Sequence, residues 1–146
     1  MSGKTAQAAR PRLYLDTSAY LGLLLQETRA SELATSIKGA ELLSSVLLVI
    51  EARRNLVRLT RERGITERQY ALCMDRVAQD INQLKLRDLT LDLCDVAPMP
   101  PIATPRTLDL IHLRTAGWFH RDAPLDRFVT FDAVQQQAAK ELGLPV

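Results

Sequence analysis

Cysteine is nearly missing from this chain of 146 residues, which has only Cys73 and Cys94. They lie far apart and match no metal-binding spacing. Each sits in an apolar-rich segment, so both are expected to be buried, reduced thiols. Long apolar runs are missing too. None approaches the ~20 residues that span a bilayer, and the opening MSGKTAQAARPR is positive without the apolar stretch of a secretory signal. These absences lead to the expectation of a cytoplasmic protein, not associated with a membrane, whose residues 1–11 form a flexible tail. Repeats and low-complexity segments are absent as well. A net charge of +2 is too small to mark a nucleic-acid binder.

What is present is the composition of an ordinary globular domain, 47% apolar and 25% charged, long enough to bury a core. Positive charge gathers locally, in Arg53, Arg54, Arg58, Arg61 and Arg63 and near the start in Lys4, Arg10 and Arg12. On charge alone a solvated helix face is the first reading of the arginine segment and a phosphate-binding stripe the second.

The stretch RLYLDTSAYLGLLLQE opens on Leu13–Leu15, which reads as a buried strand. Helical pieces follow over Ser18–Leu25 and Ala30–Ile37, the second capped by Ser31 and closed by Gly39. Glu41–Ser44 is expected to be a short strand, and Ser45 to cap a long helix running to Arg63 and stopped at Gly64. Thr66 and Gln69 have the spacing of a capping box that opens the next helix. A strand is expected around Asp88–Leu91. The proline-rich APMPPIATP, Ala97–Pro105, reads as a loop whose last pair, Thr104 and Pro105, caps a helix through about Trp118. RFVTF then gives a strand, Ala133–Leu142 a helix ended by Gly143, and Leu144–Val146 a last edge strand. Strands alternating with helices predict an α/β sandwich with a mainly parallel sheet. In such sheets sites form beyond the carboxyl ends of the strands.

That edge gives the acids a geometric test. Asp16 ends the first strand and Asp132 ends RFVTF, so both belong there. Glu51 lies in the second turn of the helix after the strand ELLS, and Asp109 lies about one turn into its helix, amid Leu108, Leu110, Ile111 and Leu113. Taken singly, each has a plain explanation. Asp16 and Asp132 are sound helix caps, Glu51 can pair with Arg54 or Asn55, and Asp109 complements a helix dipole. Taken together they form an oxygen-rich cluster in which two members have apolar surroundings, and buried carboxylates call for a cation or hydrogen-bond donors. Such hard ligands suit Mg²⁺ or Mn²⁺ better than zinc. Magnesium held this way keeps room for phosphate oxygens, and the implied chemistry is phosphodiester hydrolysis.

The set LDTSAY, VIEARR, TLDLIHLRTA and FVTFDAVQQQAAKELGL resembles the PIN-domain ribonucleases, specifically the VapC-type toxins of toxin–antitoxin pairs, over residues 12–146. The resemblance implies a three-layer α/β/α sandwich in which Asp16, Glu51, Asp109 and Asp132 form the catalytic acidic quartet that holds Mg²⁺ or Mn²⁺. By the same likeness Thr17, Ser18, Arg54 and Thr130 support the site, Thr130 as the threonine of T-x-D. Arg53, Arg61 and Arg114 are candidate RNA contacts, and Arg114 stands where such toxins more often carry a small residue. His112, one turn past Asp109, is read first as a packed helix residue. Asp122 and Asp126 are rivals to Asp132 for the fourth position. Membership further implies a homodimer, an RNA substrate such as tRNA or rRNA, and inhibition by a VapB-type antitoxin. The antitoxin would find an apolar groove between the helices of Ala19–Leu25 and Val46–Val57.

Three other readings compete. One is a catalytically silent PIN-like domain that only binds RNA or a protein. A haloacid-dehalogenase-like phosphatase needs a second Asp two residues after the first, where Ser18 stands. A receiver domain needs a lysine at the late strand end, where Asp132 sits.

Overall fold

The computed structural model describes residues 8–95, 101–103 and 106–146. Its elements run in the order β1 (Arg12–Leu15), α1 (Thr17–Leu24), a 3₁₀ turn (Thr28–Ala30), α2 (Ser31–Ser36), β2 (Glu41–Ser45), α3 (Leu47–Arg61), α4 (Glu67–Asp80), β3 (Lys85–Arg87), α5 (Leu91–Cys94), α6 (Thr107–Asp122), β4 (Arg127–Val129) and α7 (Ala133–Glu141). The strands form one sheet in the order β3-β2-β1-β4, and every pairing is parallel. The expected α/β sandwich is therefore present, and no described strand runs against the others.

β1 lies inside the sheet, with Tyr14 opposite Leu43 of β2 and Phe128 of β4. A strand buried on both faces needs a continuous apolar run, and LYL supplies it. Alternation sends its side chains to two different cores. Tyr14 joins Leu43 and Phe128 under Leu113, Ala116 and Phe119 of α6 and Ala138 and Ala139 of α7. Leu13 and Leu15 join Val129 under Ala19 of α1 and Leu33 of α2. A third cluster, Tyr20, Leu48, Ala52, Leu56 and Val77, packs α1, α3 and α4 together. The result is helices on both faces of one sheet.

The back of the sheet, at the amino ends of its strands, is closed by paired charge. The Arg12 guanidinium meets Glu41 at 2.9 Å, and Lys85 meets the same carboxylate at 3.4 Å. Asp126 accepts from the Arg12 backbone N–H at 2.6 Å and donates its own N–H to the Arg12 carbonyl. At the β3 edge, Arg87 lies over the Trp118 ring, 4.5 Å from its centre, and bonds Asp92.

Several boundaries differ from those predicted. The third strand is Lys85–Arg87 rather than 88–91, and Leu91–Cys94 is one helical turn. Its register with β2, Ser44 opposite Leu86, selects the earlier residues. β4 stops at Val129 because the Asp132 N–H turns back to the Thr130 hydroxyl at 3.1 Å and ends the ladder. Leu144–Val146 is not a strand, although the Pro145 carbonyl accepts from Phe128 at 2.6 Å. Ser31 is the first residue of α2 and Ala30 its cap. Ser45 sits one residue further from α3 than a cap, although its hydroxyl accepts from the Leu47 N–H at 3.2 Å. The left-handed residue after α3 is Arg63, φ 58°, and not Gly64, whereas Gly39 and Gly143 take φ of 76° and 75° as helix stops.

The Thr66–Gln69 capping box forms in full. Thr104 and Pro105, proposed to open α6, lie outside the described residues, as does most of the proline-rich loop; α6 begins at Thr107 with Arg106 in the cap position. Both cysteines are free, but neither is fully buried: Cys73 is half-buried beside the α1–α3–α4 core, and Cys94 is exposed because the single turn of α5 buries only Leu93.

Candidate active site

Asp16 immediately follows β1 at the carboxyl edge and is 4% exposed. It does cap α1, as the plain reading held: Oδ1 accepts from the Ala19 N–H at 3.0 Å and from the Ser18 hydroxyl at 2.7 Å. Its other oxygen accepts a short hydrogen bond from the Thr130 hydroxyl, at 2.5 Å. Burial pushes the Asp16 carboxyl above the usual range, against the hydrogen bonds of Thr130, Ala19 and Ser18 and the nearby His112, which favour its charged form. No lysine or arginine pairs with it among the described residues. The cap therefore explains the position of Asp16 but not the cost of its charge.

Thr130 and Ser18 extend this bonding to the second strand end. The Ser18 hydroxyl lies 3.2 Å from the Thr130 hydroxyl and accepts from the Phe131 N–H at 2.9 Å. Asp132 caps α7, its Oδ1 accepting from Val134 at 2.8 Å and Gln135 at 3.0 Å. Strands β1 and β4 are adjacent and parallel, so their acids share one edge by construction.

Glu51 reaches the same edge from α3. Its Oε1 accepts from the Thr17 hydroxyl at 2.9 Å, where Thr17 follows Asp16 directly. The same oxygen lies 2.9 Å from His112 Nε2. The expected pairing of the Glu51 carboxylate with Arg54 or Asn55 does not occur; the Asn55 amide donates to the Glu51 backbone carbonyl instead. Asp109 stands in the first turn of α6 and is half-buried, and Leu108 beside it is exposed, so its surroundings are more open than the sequence suggested. The buried side chain of Gln135 ties it in, donating to the Asp109 carbonyl at 3.0 Å while the Gln135 N–H bonds Asp132.

Hydrogen bonds thus hold Asp16, Glu51 and Asp132 at the carboxyl edge, and Gln135 ties in Asp109 through its backbone carbonyl. Among the described residues no three His, Cys, Asp or Glu side chains already close into a cage around an ion. The candidate donors are nonetheless carboxylate oxygens, and Asp16 among them has no lysine or arginine paired to it among the described residues, which suits a hard divalent cation.

Of the other predicted residues, Thr17, Ser18 and Thr130 bond the acids directly, as above. Arg54 is exposed one turn past Glu51, and Arg53 is half-buried with an enclosed Nε that has no partner among the described residues. Arg61 is exposed at the far end of α3, on the order of 15 Å along the helix from Glu51. Arg114 is half-buried and donates to the Leu93 carbonyl at 3.2 Å, a tie between α6 and α5. Asp126 belongs to the opposite edge beside Arg12, which removes it as a rival to Asp132. Asp122, the last residue of α6, is exposed. Tyr14 and Gln135 were missed. Tyr14 sits two residues before Asp16 on a strand, a spacing that signals a shared face; Gln135, within three consecutive glutamines, carried no signal.

A parallel four-stranded sheet between helices, with Asp, Thr and Glu side chains bonded together at its carboxyl edge, defines a PIN-like domain. Over 136 residues, 90% of this chain and 92% of the relative, the sequence is 32% identical to Ribonuclease VapC47 of Mycobacterium tuberculosis (strain CDC 1551 / Oshkosh). The chain belongs to the VapC-type PIN-domain ribonucleases. No protein-family model matches it. Among the described residues no helix is long and apolar enough to cross a membrane.

Proposed function

We propose that this chain is a Mg²⁺- or Mn²⁺-dependent endoribonuclease toxin that hydrolyses RNA phosphodiester bonds at the acidic edge formed by Asp16, Glu51, Asp109 and Asp132. The observation that carries this reading is Asp16: a nearly buried carboxylate, bonded by three donors, with no basic side chain paired to it among the described residues. A site of that kind is stable when a cation arrives from solution. Bound there, the cation would neutralise charge on the scissile phosphate and ease attack by water. The open spacing of the acids suits magnesium, which keeps several of its own waters.

The chain's own residues prepare the edge. Thr130 and Ser18 hold both oxygens of Asp16, Thr17 holds Glu51 and Gln135 joins Asp109 to Asp132. Preset carboxylates need no rearrangement when charge develops on the phosphate. Arg53 and Arg54, beside Glu51 on α3, are the proposed contacts to RNA backbone, and Arg114 helps tie α6 to α5 through the Leu93 carbonyl.

The relative's name, a ribonuclease, supports RNA as the substrate class. A VapB-type antitoxin is the proposed inhibitor and a homodimer the proposed assembly. Much of the expected antitoxin groove between α1 and α3 is filled by core residues Tyr20, Leu48, Ala52 and Leu56. An open apolar groove of about 780 Å³, lined by Leu24, Leu25, Leu59, Ile65 and Leu72, lies close by and offers an antitoxin helix a better seat.

The test is cleavage of a pool of structured RNAs, tRNAs and rRNA fragments included, by partner-free protein with Mg²⁺, with Mn²⁺ and with chelator, beside Asp16→Asn. Discrete metal-dependent products, absent from the variant, are expected. Binding without cleavage under every condition would reject the nuclease reading for a silent RNA-binding domain. Cleavage that survives in the variant would remove Asp16 from the chemistry.

A further inference from the structure

His112 is 2% exposed on α6, among residues of the core, yet both ring nitrogens are engaged. Nδ1 lies 2.8 Å from the Tyr14 hydroxyl. Nε2 lies 2.9 Å from Glu51 Oε1 and 3.1 Å from the Thr17 hydroxyl. Tyr14 is fully buried, its ring stacked on Phe128 at 5.4 Å and 8° and set edge-on to the His112 ring at 5.9 Å. Burial holds the phenol proton in place well above its ordinary range.

These contacts select a tautomer. With the Tyr14 O–H donating to Nδ1, the ring proton sits on Nε2 and points at a carboxylate oxygen. The opposite tautomer would set a nitrogen lone pair against that oxygen and leave the Tyr14 hydroxyl without an acceptor at Nδ1. Thr17, which donates its own hydrogen to Glu51, is a further acceptor for the same Nε2–H.

We infer that Tyr14 and His112 form a buried positioning relay that fixes Glu51, turning Oε1 toward the protein and leaving Oε2 as the oxygen offered to a cation. Glu51 is the one member of the quartet delivered by α3, and nothing in the sheet's pairing holds it. The relay supplies that restraint from the elements that deliver Asp16 and Asp109: Tyr14 is on β1, two residues before Asp16, and His112 is on α6, three residues after Asp109. Outer partners of this kind commonly change metal affinity 10–100-fold when removed, as order-of-magnitude values.

This inference rests on the reading of Glu51 as a cation ligand, so Glu51→Gln is part of its test. Mn²⁺ binding would be measured by calorimetry, and RNA cleavage and Tm beside it, for the parent, Glu51→Gln, Tyr14→Phe and two His112 variants. His112→Gln can place an amide N–H where Nε2 stands. His112→Asn can accept from Tyr14 but is too short to reach Glu51. The expected result is a Mn²⁺ Kd weakened about tenfold in His112→Asn, a comparable fall in kcat with KM for RNA unchanged, and substantial recovery of both in His112→Gln at a similar Tm. Tyr14→Phe, which frees the tautomer, should show a partial loss. If both His112 variants bind Mn²⁺ and turn over like the parent while Glu51→Gln fails, the relay is wrong and the site reading stands. If Glu51→Gln itself matches the parent, the site reading falls and takes the relay with it.

Discussion

Gly22 offers a test of how the turn carrying Asp132 is held. A methyl group added there would lie 2.5 Å from Phe131 Cε2, 3.0 Å from Cδ2 and 3.4 Å from the Ala30 methyl. Ordinary carbon contacts are about 3.5–4.0 Å, so the ring in Gly22→Ala has to retreat by roughly 1 Å. Retreat is restrained, since the ring packs on the α1–α2 core and carries the Arg29 guanidinium 4.8 Å from its centre. Overpacking of this kind costs about 1–3 kcal/mol, and Ala recovers up to about 1 kcal/mol of helix propensity over Gly. The net expectation is a loss of about 1 kcal/mol, or roughly 2–4 °C in Tm.

The effect on activity should be larger than that loss implies. The Phe131 N–H bonds Ser18, which bonds Asp16, and Thr130 and Asp132 flank the ring in sequence. A displacement near 1 Å at such a position can cost up to about 100-fold in rate. RNA cleavage at a temperature where the variant is fully folded should therefore fall by about ten- to a hundredfold. Adding Phe131→Leu should relieve the pressure, giving a coupling near 1 kcal/mol in a double-mutant cycle. Parent-like cleavage in Gly22→Ala, or a coupling of zero, would show that the ring moves aside freely and does not brace the turn.

Asp16→Asn should abolish cleavage and, in chelator, melt at or above the parent near neutral pH. Burial raises the Asp16 carboxyl in the native state, so the stability tied to its proton is present below the ordinary carboxylate range and is lost as pH rises through the raised value. The Tm gap between variant and parent should thus close on acidification, and a variant far less stable at neutral pH would contradict this account. Thr66→Ala breaks the capping box of α4 and should lower stability by about 1 kcal/mol in denaturant melts; reduced kcat in the folded variant would tie the α3–α4 turn to the site, against expectation. Arg61→Ala should weaken RNA binding mainly at low salt, lowering the slope of log K against log salt by about 0.7 for a single strand. An unchanged slope assigns Arg61 to a solvated face.

The positions legible in the sequence are those in which local chemistry and topology coincide. Asp16 directly follows β1 and Asp132 lies three residues past the end of β4, and each caps the next helix, a role visible in a few residues. The box at Thr66 and the stops at Gly39 and Gly143 are local in the same sense. Failures came where a distant partner decides. β3 is three residues long, chosen by its pairing with β2, and its own pattern is too short to announce it. Thr130 and Phe131 carry strand chemistry, yet the Thr130 hydroxyl draws back the Asp132 N–H and ends the strand early. The packed reading of His112 was sound as far as it went. Its bond to Glu51 depends on α3 and α6 meeting across 61 residues, which no local pattern encodes.

The place of β1 within the sheet also has a meaning in time. It leaves the ribosome before the other strands, but its β4 neighbour and the threonine that grips Asp16 arrive 114 residues later. At synthesis rates of roughly 5–20 residues per second, that gap lasts on the order of 6–23 s. For that whole interval the growing chain holds Asp16, and for its later part Glu51, without Thr130 or Asp132, so the acidic edge cannot be complete before residue 132 has been made. Under the proposed function, order of synthesis alone withholds activity until α7 is made, and an inhibiting partner is needed only from that point.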